Sequence, residues 1–342
     1  MSRIATRHFI GPEWLPEQLG SLYKAGSTKM NNHTTGAAGV DIGKAALDVA
    51  LANGAQRWRF PNDDKGRNAL VSLLSSLGVE RVGLEASGGY ERAVVEQLRK
   101  AGFDVIIFQP RQVRAYAVYR LRRAKTDAID AGLIAACAAA HGPGRDAPDP
   151  RLTALAEPLR LLEQIEDDIA RLKTRLETYR TPEIRSFLAE EIVRLKALRV
   201  KQIKLLRSDL SAHSDLARRF SLIASISGIG ERTALTLSIA MPELGALSRE
   251  EAASLAGLAP FDHSSGKHDG RRVIAGGRAN VRTALYAAAL PAAFKWNKAL
   301  VEFYQRLKAA GKNHKQALVA CARKLLIYAN TVLARNTPWQ AT

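Results

Sequence analysis

The chain has 342 residues, 46% of them hydrophobic, and carries 51 Lys and Arg against 33 Asp and Glu, a formal net charge of +18. That length and apolar content exclude a disordered chain and leave room for two or three domains with cores of their own, and the cationic surplus points to a polyanion as partner, nucleic acid ahead of a merely solubilising basic surface. Its two cysteines, Cys137 and Cys321, each sit in an apolar helical stretch, which argues against a disulfide framework and suits a reducing compartment.

Residues 1–36 mix Pro, Gly, Asn and Thr without periodicity and lack the basic-then-apolar order of a signal peptide. They read as a loose N-terminal arm, and Met30, just ahead of "NNHTTGAAGVDIG", is a second candidate start. The sequence reading finds no apolar run approaching the roughly 18–20 residues of a membrane span, so the expectation is a cytoplasmic protein with no membrane partner.

From residue 37 the pattern turns to short β-type runs, "GVDIG", "ALDVALA" and "QRWRF", parted by turn signals; they predict a three-stranded meander. A helix follows over 63–77, a buried strand at "RVGLEA" (81–86), a helix over 89–101 and a buried strand at "FDVIIF" (103–108). A meander continued by β-α-β units predicts a mixed sheet with helices on its faces. "KTDAIDAGLIAACAAAH" supplies a closing helix, and "GPGRDAPDPR" (142–151) reads as a linker. The domains expected are an α/β domain over 37–145, a helical segment over 146–215 and a second, mostly α-helical domain over 216–335.

In the helical segment Leu162, Ile165, Ile169, Leu172, Leu176 and Tyr179 recur at spacings of three and four, the seam of a coiled coil. Pro182 interrupts it, and a second amphipathic stretch runs from Leu188 to Leu210. The two helices fold back as an antiparallel hairpin or pair with another subunit. Further on, "SLIASISGIGERTALTLSI" (221–239) has the form of a helix-hairpin-helix, in which Gly228 and Gly230 let backbone N–H groups approach a phosphate. Read alone, the same turn also suits two tightly packed helices.

Four acids occupy positions of consequence. Asp41 lies at the end of the first strand, with Val40 and Ile42 on the opposite face; Glu85 closes the buried strand; Asp127 and Asp130, three apart, share one side of a helix. If the first and fourth strands are neighbours, these carboxylates converge. Their mutual repulsion then calls for a hard divalent cation, Mg2+ or Mn2+, of the kind that activates an attacking oxygen and stabilises a leaving one at a phosphodiester. Taken singly, each has a plainer reading: Asp127 as a helix cap, Glu85 as a surface acid, Asp41 as a turn former.

"GVDIGKAALDVAL", "GLEASGGYE" and "KTDAIDAGLIA" resemble the three acidic motifs of transposases of the insertion sequence 110 family, and "SISGIGERTALTL", "LASLAGLAPFDHSSGKHDG" and "GGRANVRTALYAAAL" resemble that family's second domain in the same order. The likeness covers about 40–335. It implies an RNase H-like, RuvC-like N-terminal domain and makes Asp41, Glu85, Asp127 and Asp130 the matches of the family's metal ligands. It makes Ser265 the match of its serine nucleophile, with Ser264 as the neighbouring alternative, a residue that sequence physics alone would not have chosen. Lys267, Arg271, Arg272, Arg278 and Arg282 follow as candidate phosphate contacts. The resemblance further implies donor and target DNA as substrates, a structured noncoding RNA as guide, and a homodimer or homotetramer. Two other readings stay open: a RuvC-type nuclease using water in place of serine, and a non-catalytic nucleic-acid-binding protein.

Overall fold

The computed structural model describes residues 36–52, 56–121, 127–142, 149–261 and 273–340, without the side chains of 127–129. The expected N-terminal arm and the segment 262–272 lie outside them. The chain divides into two units, one up to residue 147 and one from 148.

The first unit is a five-stranded mixed sheet. Strands β1 (Ala37–Ile42), β2 (Ala46–Leu51) and β3 (Arg57–Pro61) form the antiparallel meander; helix α1 (Asp64–Ser76) leads to β4 (Arg81–Glu85), and α2 (Arg92–Lys100) leads to β5 (Asp104–Phe108). The order is β3-β2-β1-β4-β5, with β1, β4 and β5 parallel. Strand β3 closes one edge with alternating arginines and a proline, residue types that discourage further pairing. One face buries Val40, Ile42, Leu47, Val49, Val82 and Leu84 against α1 and α2. The other carries α3 (Pro110–Tyr119) and α4 (Asp127–Ala140), packed through Phe108, Val113, Leu133 and Ile134.

The sequence reading leaves α3 out. Its signal is a capping box at Gln109 and Gln112 around Pro110, a Gln-Pro-x-Gln version of the usual Ser/Thr start.

The second unit is helical. Helix α5 (Pro150–Thr178) runs through Pro158, turns at Tyr179–Thr181, and is followed by α6 (Pro182–Ser211). The two lie antiparallel: the Gln202 amide donates to the Pro158 carbonyl at 3.3 Å, and farther out Ile165 and Ile169 pack on Ile192 and Leu195. The hairpin alternative is therefore satisfied within one chain. Its base joins α7 (Ser214–Ala224), α8 (Glu231–Ala240), α9 (Arg249–Leu255), the two-residue strands β6 (Pro260–Phe261) and β7 (Val273–Ile274), α10 (Ala279–Pro291), a π-turn at Ala292–Trp296, α11 (Lys298–Ala309) and α12 (His314–Arg335) in one core.

Helix α12 corrects the statement that no run is long enough for a membrane. Its 22 residues meet that length and hydropathy. Leu318, Cys321, Ala322, Leu325, Leu326 and Ala329 are buried in the helical core, which accounts for its composition as a central helix of this unit.

Candidate active site

Strands β1 and β4 pair in parallel, with Val40 opposite Leu84 as the last partners. The next residues are Asp41 and Glu85, so the two acids end adjacent strands side by side. On the other flank of β1, Asp41 is paired across the hairpin with Asp48 of β2, and Asp48 in turn lies opposite Arg59 of β3. Directly opposed residues share a face, so one row across the sheet reads Arg59, Asp48, Asp41, Glu85. The Arg59 guanidinium reaches Asp48 at 3.8 Å.

That row is on the α4 face. Side chains alternate along a strand, so Gly39 points where Asp41 points and Gly83 where Glu85 points. Gly39 and Gly83 are themselves partners. A Cβ on Gly39 would lie 2.2 Å from the Ala131 carbonyl oxygen, and one on Gly83 would lie 2.9 Å from the Ala138 Cβ. Glycine in both places lets the backbone of α4 rest on the strands. At the start of β4, Arg81 binds Asp104 at 2.8 Å and donates to the His141 carbonyl at 2.9 Å, fixing the far end of the helix. Helix α4 thus runs opposite to β1 and β4, and its first turn, from Asp127 to Asp130, overhangs the strand ends where Asp41 and Glu85 stand. Asp127 begins the helix; its side chain is outside the described residues. Among the described residues no three His, Cys, Asp or Glu side chains are grouped closely enough to hold a metal ion.

The loop after Glu85 is held by Glu91. One of its carboxylate oxygens accepts from the Ser87 hydroxyl at 2.6 Å, the Gly89 amide at 2.8 Å and the Ser87 amide at 3.1 Å. Burial works against its charge, but the Ser87 hydroxyl and the backbone amides outweigh it, and the carboxyl is held below the usual glutamate range.

In the second unit, Ser265, its neighbour Ser264, Lys267, Arg271 and Arg272 fall outside the described residues. Strands β6 and β7 flank that segment and pair through Pro260–Ile274 and Phe261–Val273. Behind them two glycine turns meet: a Cβ on Gly277 would lie 2.1 Å from the Gly257 amide nitrogen. Arg278 and Arg282, expected at phosphates, have partners in the fold. Arg278 clamps Glu243 through both terminal nitrogens, at 2.7 and 2.5 Å, and donates to the Ala240 carbonyl at the end of α8; Arg282 donates to the Gly276 carbonyl at 2.7 Å. Gly228 adopts φ +100°, and a Cβ there would lie 2.4 Å from the Ala292 Cβ. Gly230, exposed, precedes α8 as its N-cap.

Residues 38–179 match the family model of DEDD transposases of IS110, described as transposase. Residues 220–305 match a second, the transposase IS116/IS110/IS902 family. The chain belongs to the IS110 family of transposases and recombinases. Pilin gene-inverting proteins of Moraxella bovis and Moraxella lacunata are each 28% identical to it over 314 residues, 88% of this chain and 96% of theirs. An uncharacterized 43.6 kDa insertion element IS110 protein of Streptomyces coelicolor is 28% identical over 143 residues, 41% of this chain and 35% of its own.

The first IS110 match spans the strand-end acids and all of α4, and the second runs from the last turn of α7 through most of α11, including the segment around Ser265. Two polar residues at the acidic end escape the sequence reading. Asp48 is visible only once the hairpin register is known, because nothing in "ALDVAL" alone points it at Asp41. Glu91 stands in "GLEASGGYE", and its signal is a small-residue turn whose bare amides need an acceptor.

Proposed function

We propose that this IS110-family protein is a metal-dependent DNA strand transferase, in which carboxylates of the RuvC-like first unit hold the metal and Ser265 of the second unit is the nucleophile. The observation that carries the reading is the acidic row Asp48–Asp41–Glu85 beneath the first turn of α4, in a chain whose net charge is +18. Carboxylates carried on neighbouring strand ends are the oxygen donors that a divalent cation joins to an anionic phosphodiester.

The donor set is made of hard carboxylate oxygens, which suits Mg2+ or Mn2+ rather than a thiophilic metal. Asp41, Glu85, Asp127 and Asp130 are the ligands this reading assigns. The bound cation supplies Lewis-acid stabilisation of oxygen charge at the scissile phosphate. The chain's own nucleophile is the Ser265 hydroxyl. Its oxygen bonds to phosphorus and its proton departs; the bond to the 3′ oxygen breaks, and that oxygen takes up a proton. The phosphoserine ester conserves the energy of the broken bond, so a second 3′-OH can displace the serine and rejoin the strands. Backbone N–H groups of the Gly228–Gly230 turn, read as a helix-hairpin-helix, would hold duplex phosphate, with Lys267, Arg271 and Arg272 beside the serine. The named Moraxella relatives invert a gene, which is also a break-and-rejoin reaction. A guide RNA and assembly into dimers or tetramers complete the proposal: a protein that reads phosphate and shape can leave sequence to base pairing.

The test uses element-end DNA with Mg2+. The intact protein should give a covalent protein–DNA adduct that Ser265→Ala abolishes and Ser264→Ala retains, whereas strand hydrolysis persisting in Ser265→Ala would establish the water-based nuclease instead. Independently of activity, Asp41→Asn and Glu85→Gln should weaken Mn2+ binding in calorimetry; unchanged binding removes the metal assignment.

A further inference from the structure

Between α10 and α11 the chain makes a π-turn, Ala292–Trp296, in which the Asn297 amide donates five residues back to the Ala292 carbonyl at 3.1 Å. Such wide turns have poorer hydrogen-bond geometry than an α-helix and recur at functional sites. Here Ala292 and Ala293 stay buried while Phe294 is 56% and Trp296 62% exposed. Two large aromatic rings displayed within three residues are more than the scattered apolar exposure an ordinary surface carries.

The display is rigidly supported. Asn297 is buried; its amide donates to the Ser227 carbonyl at 3.0 Å, and its oxygen caps α11 at the Leu300 amide. Gly228, in the same loop as Ser227, leaves no room for a side chain against Ala292. The turn between α7 and α8 is therefore the floor on which the aromatic turn rests. Phe294 also packs at 5.0 Å from Tyr304, whose hydroxyl meets the His314 Nδ1 at 2.7 Å.

The surroundings are of one sign. Between residues 292 and 324 there are eight Lys and Arg and a single acid, Glu302. Lys295 lies 5.1 Å from the Trp296 ring. A cavity of about 530 Å³ is lined by Lys312, Lys315 and Arg323, with Asn313, Gln316 and apolar side chains, among them Pro260 and Val273 of β6 and β7. Flat aromatic faces amid lysines are the chemistry that binds unpaired bases: the rings stack on base faces and the cations follow the phosphates. A duplex hides its base faces, and a protein partner recognised through apolar contact gains nothing from so uniform a charge.

We infer that the Phe294–Trp296 turn is a stacking platform for the unpaired bases of a single-stranded nucleic acid. The inference rests on the nucleic-acid reading above but assigns a further set of residues, the aromatic turn, distinct from the carboxylates and from Ser265.

The full-length protein is titrated into labelled oligo(dT), oligo(U) and a mixed-sequence duplex, followed by fluorescence anisotropy. Trp296→Ala should weaken binding to at least one single strand about 10-fold or more, and Phe294→Ala combined with it further still, while duplex affinity and the thermal unfolding midpoint stay as in the parent. Trp296→Phe should keep most of the affinity and lose the quenching of indole fluorescence that the oligonucleotide causes. A larger loss on oligo(U) than on oligo(dT) identifies RNA as the occupant, and the reverse identifies an unpaired DNA strand. Equal losses on single strands and duplex, or none on single strands with duplex binding intact, would overturn the platform and leave the recombinase reading standing. A change of oligomeric mass in Trp296→Ala with single-strand affinity unchanged would overturn it in favour of an interface between copies. Failure of the parent to bind any nucleic acid would instead sink the function proposed above.

Discussion

Gly39 meets Ala131 with no space for a side chain between them: a Cβ at residue 39 would stand 2.2 Å from the Ala131 carbonyl oxygen, one residue after Asp130. The contact sets the height of α4 above β1, and with it the distance from Asp130 to the strand-end acids. Gly39→Ala must push the helix backbone away, at a cost of about 1–3 kcal/mol or more. Gly132, on the same helix, has open space where its Cβ would go, so Gly132→Ala should stabilise by about 0.5–1 kcal/mol through helix propensity alone. Urea unfolding of the two variants should therefore shift in opposite directions.

Glu91 gives the acidic end a dependence on pH. Its folded carboxyl lies below the ordinary value of 4.5 because, against the pull of burial, the Ser87 hydroxyl and three amides hold the ionised form. A depressed carboxylate contributes stability that is present above the unfolded value and lost as pH falls through the folded one. Glu91→Gln should melt earlier than the parent at pH 7, and the gap should close as pH drops below about 4. Thermal melts across that range check it; a gap that widens in acid would contradict the cause assigned here.

Much of the first unit is legible from the sequence because period-two alternation and short turns leave few other arrangements. "GVDIG" and "ALDVALA" form a hairpin whose partners follow from the turn, and "RVGLE" and "FDVIIF" read as strands buried on both faces. The adjacency of β1 and β4, on which the meeting of Asp41 and Glu85 depends, is a long-range pairing that the sequence permitted without deciding. Asp48 stayed hidden for the same reason, its significance being a matter of register. In the second unit the sequence shows the run of cations but not the fold partner of Arg278, because Glu243 stands 35 positions away. The π-turn has no sequence signature beyond "AAFKW" itself, since an extra residue in a helical turn preserves the composition of a helix.

The two cysteines should report opening of each unit separately. Both are free and buried, and burial pushes each thiol up to about 11, so little of either is thiolate near neutrality. Reaction with a disulfide reagent at pH 8 should be slow for the native protein and fast in denaturant. Cys137 lies in α4 beside Ile134 and Phe108. In a Cys321→Ser variant its labelling should therefore accelerate on introducing Gly39→Ala, which lifts that helix.

Arg278 separates a fold role from a nucleic-acid role. Its forked hydrogen bonds to Glu243 and its bond to the Ala240 carbonyl close the C-terminal end of α8, where a helix leaves carbonyls unpaired and favours a cation. Lysine offers one point charge in place of a planar fork, so Arg278→Lys should lose about 1.5–3 kcal/mol of stability, the range for hydrogen bonds to charged groups. Because the guanidinium is engaged inside the unit, the dependence of duplex affinity on salt should not change. Arg271→Gln, next to the proposed nucleophile's segment, should behave conversely: stability is kept, and the slope of log affinity against log salt falls by roughly 0.9 for the phosphate contact removed. If Arg278→Lys lowered that slope by a similar amount while unfolding as the parent does, Arg278 would have to leave Glu243 to reach DNA.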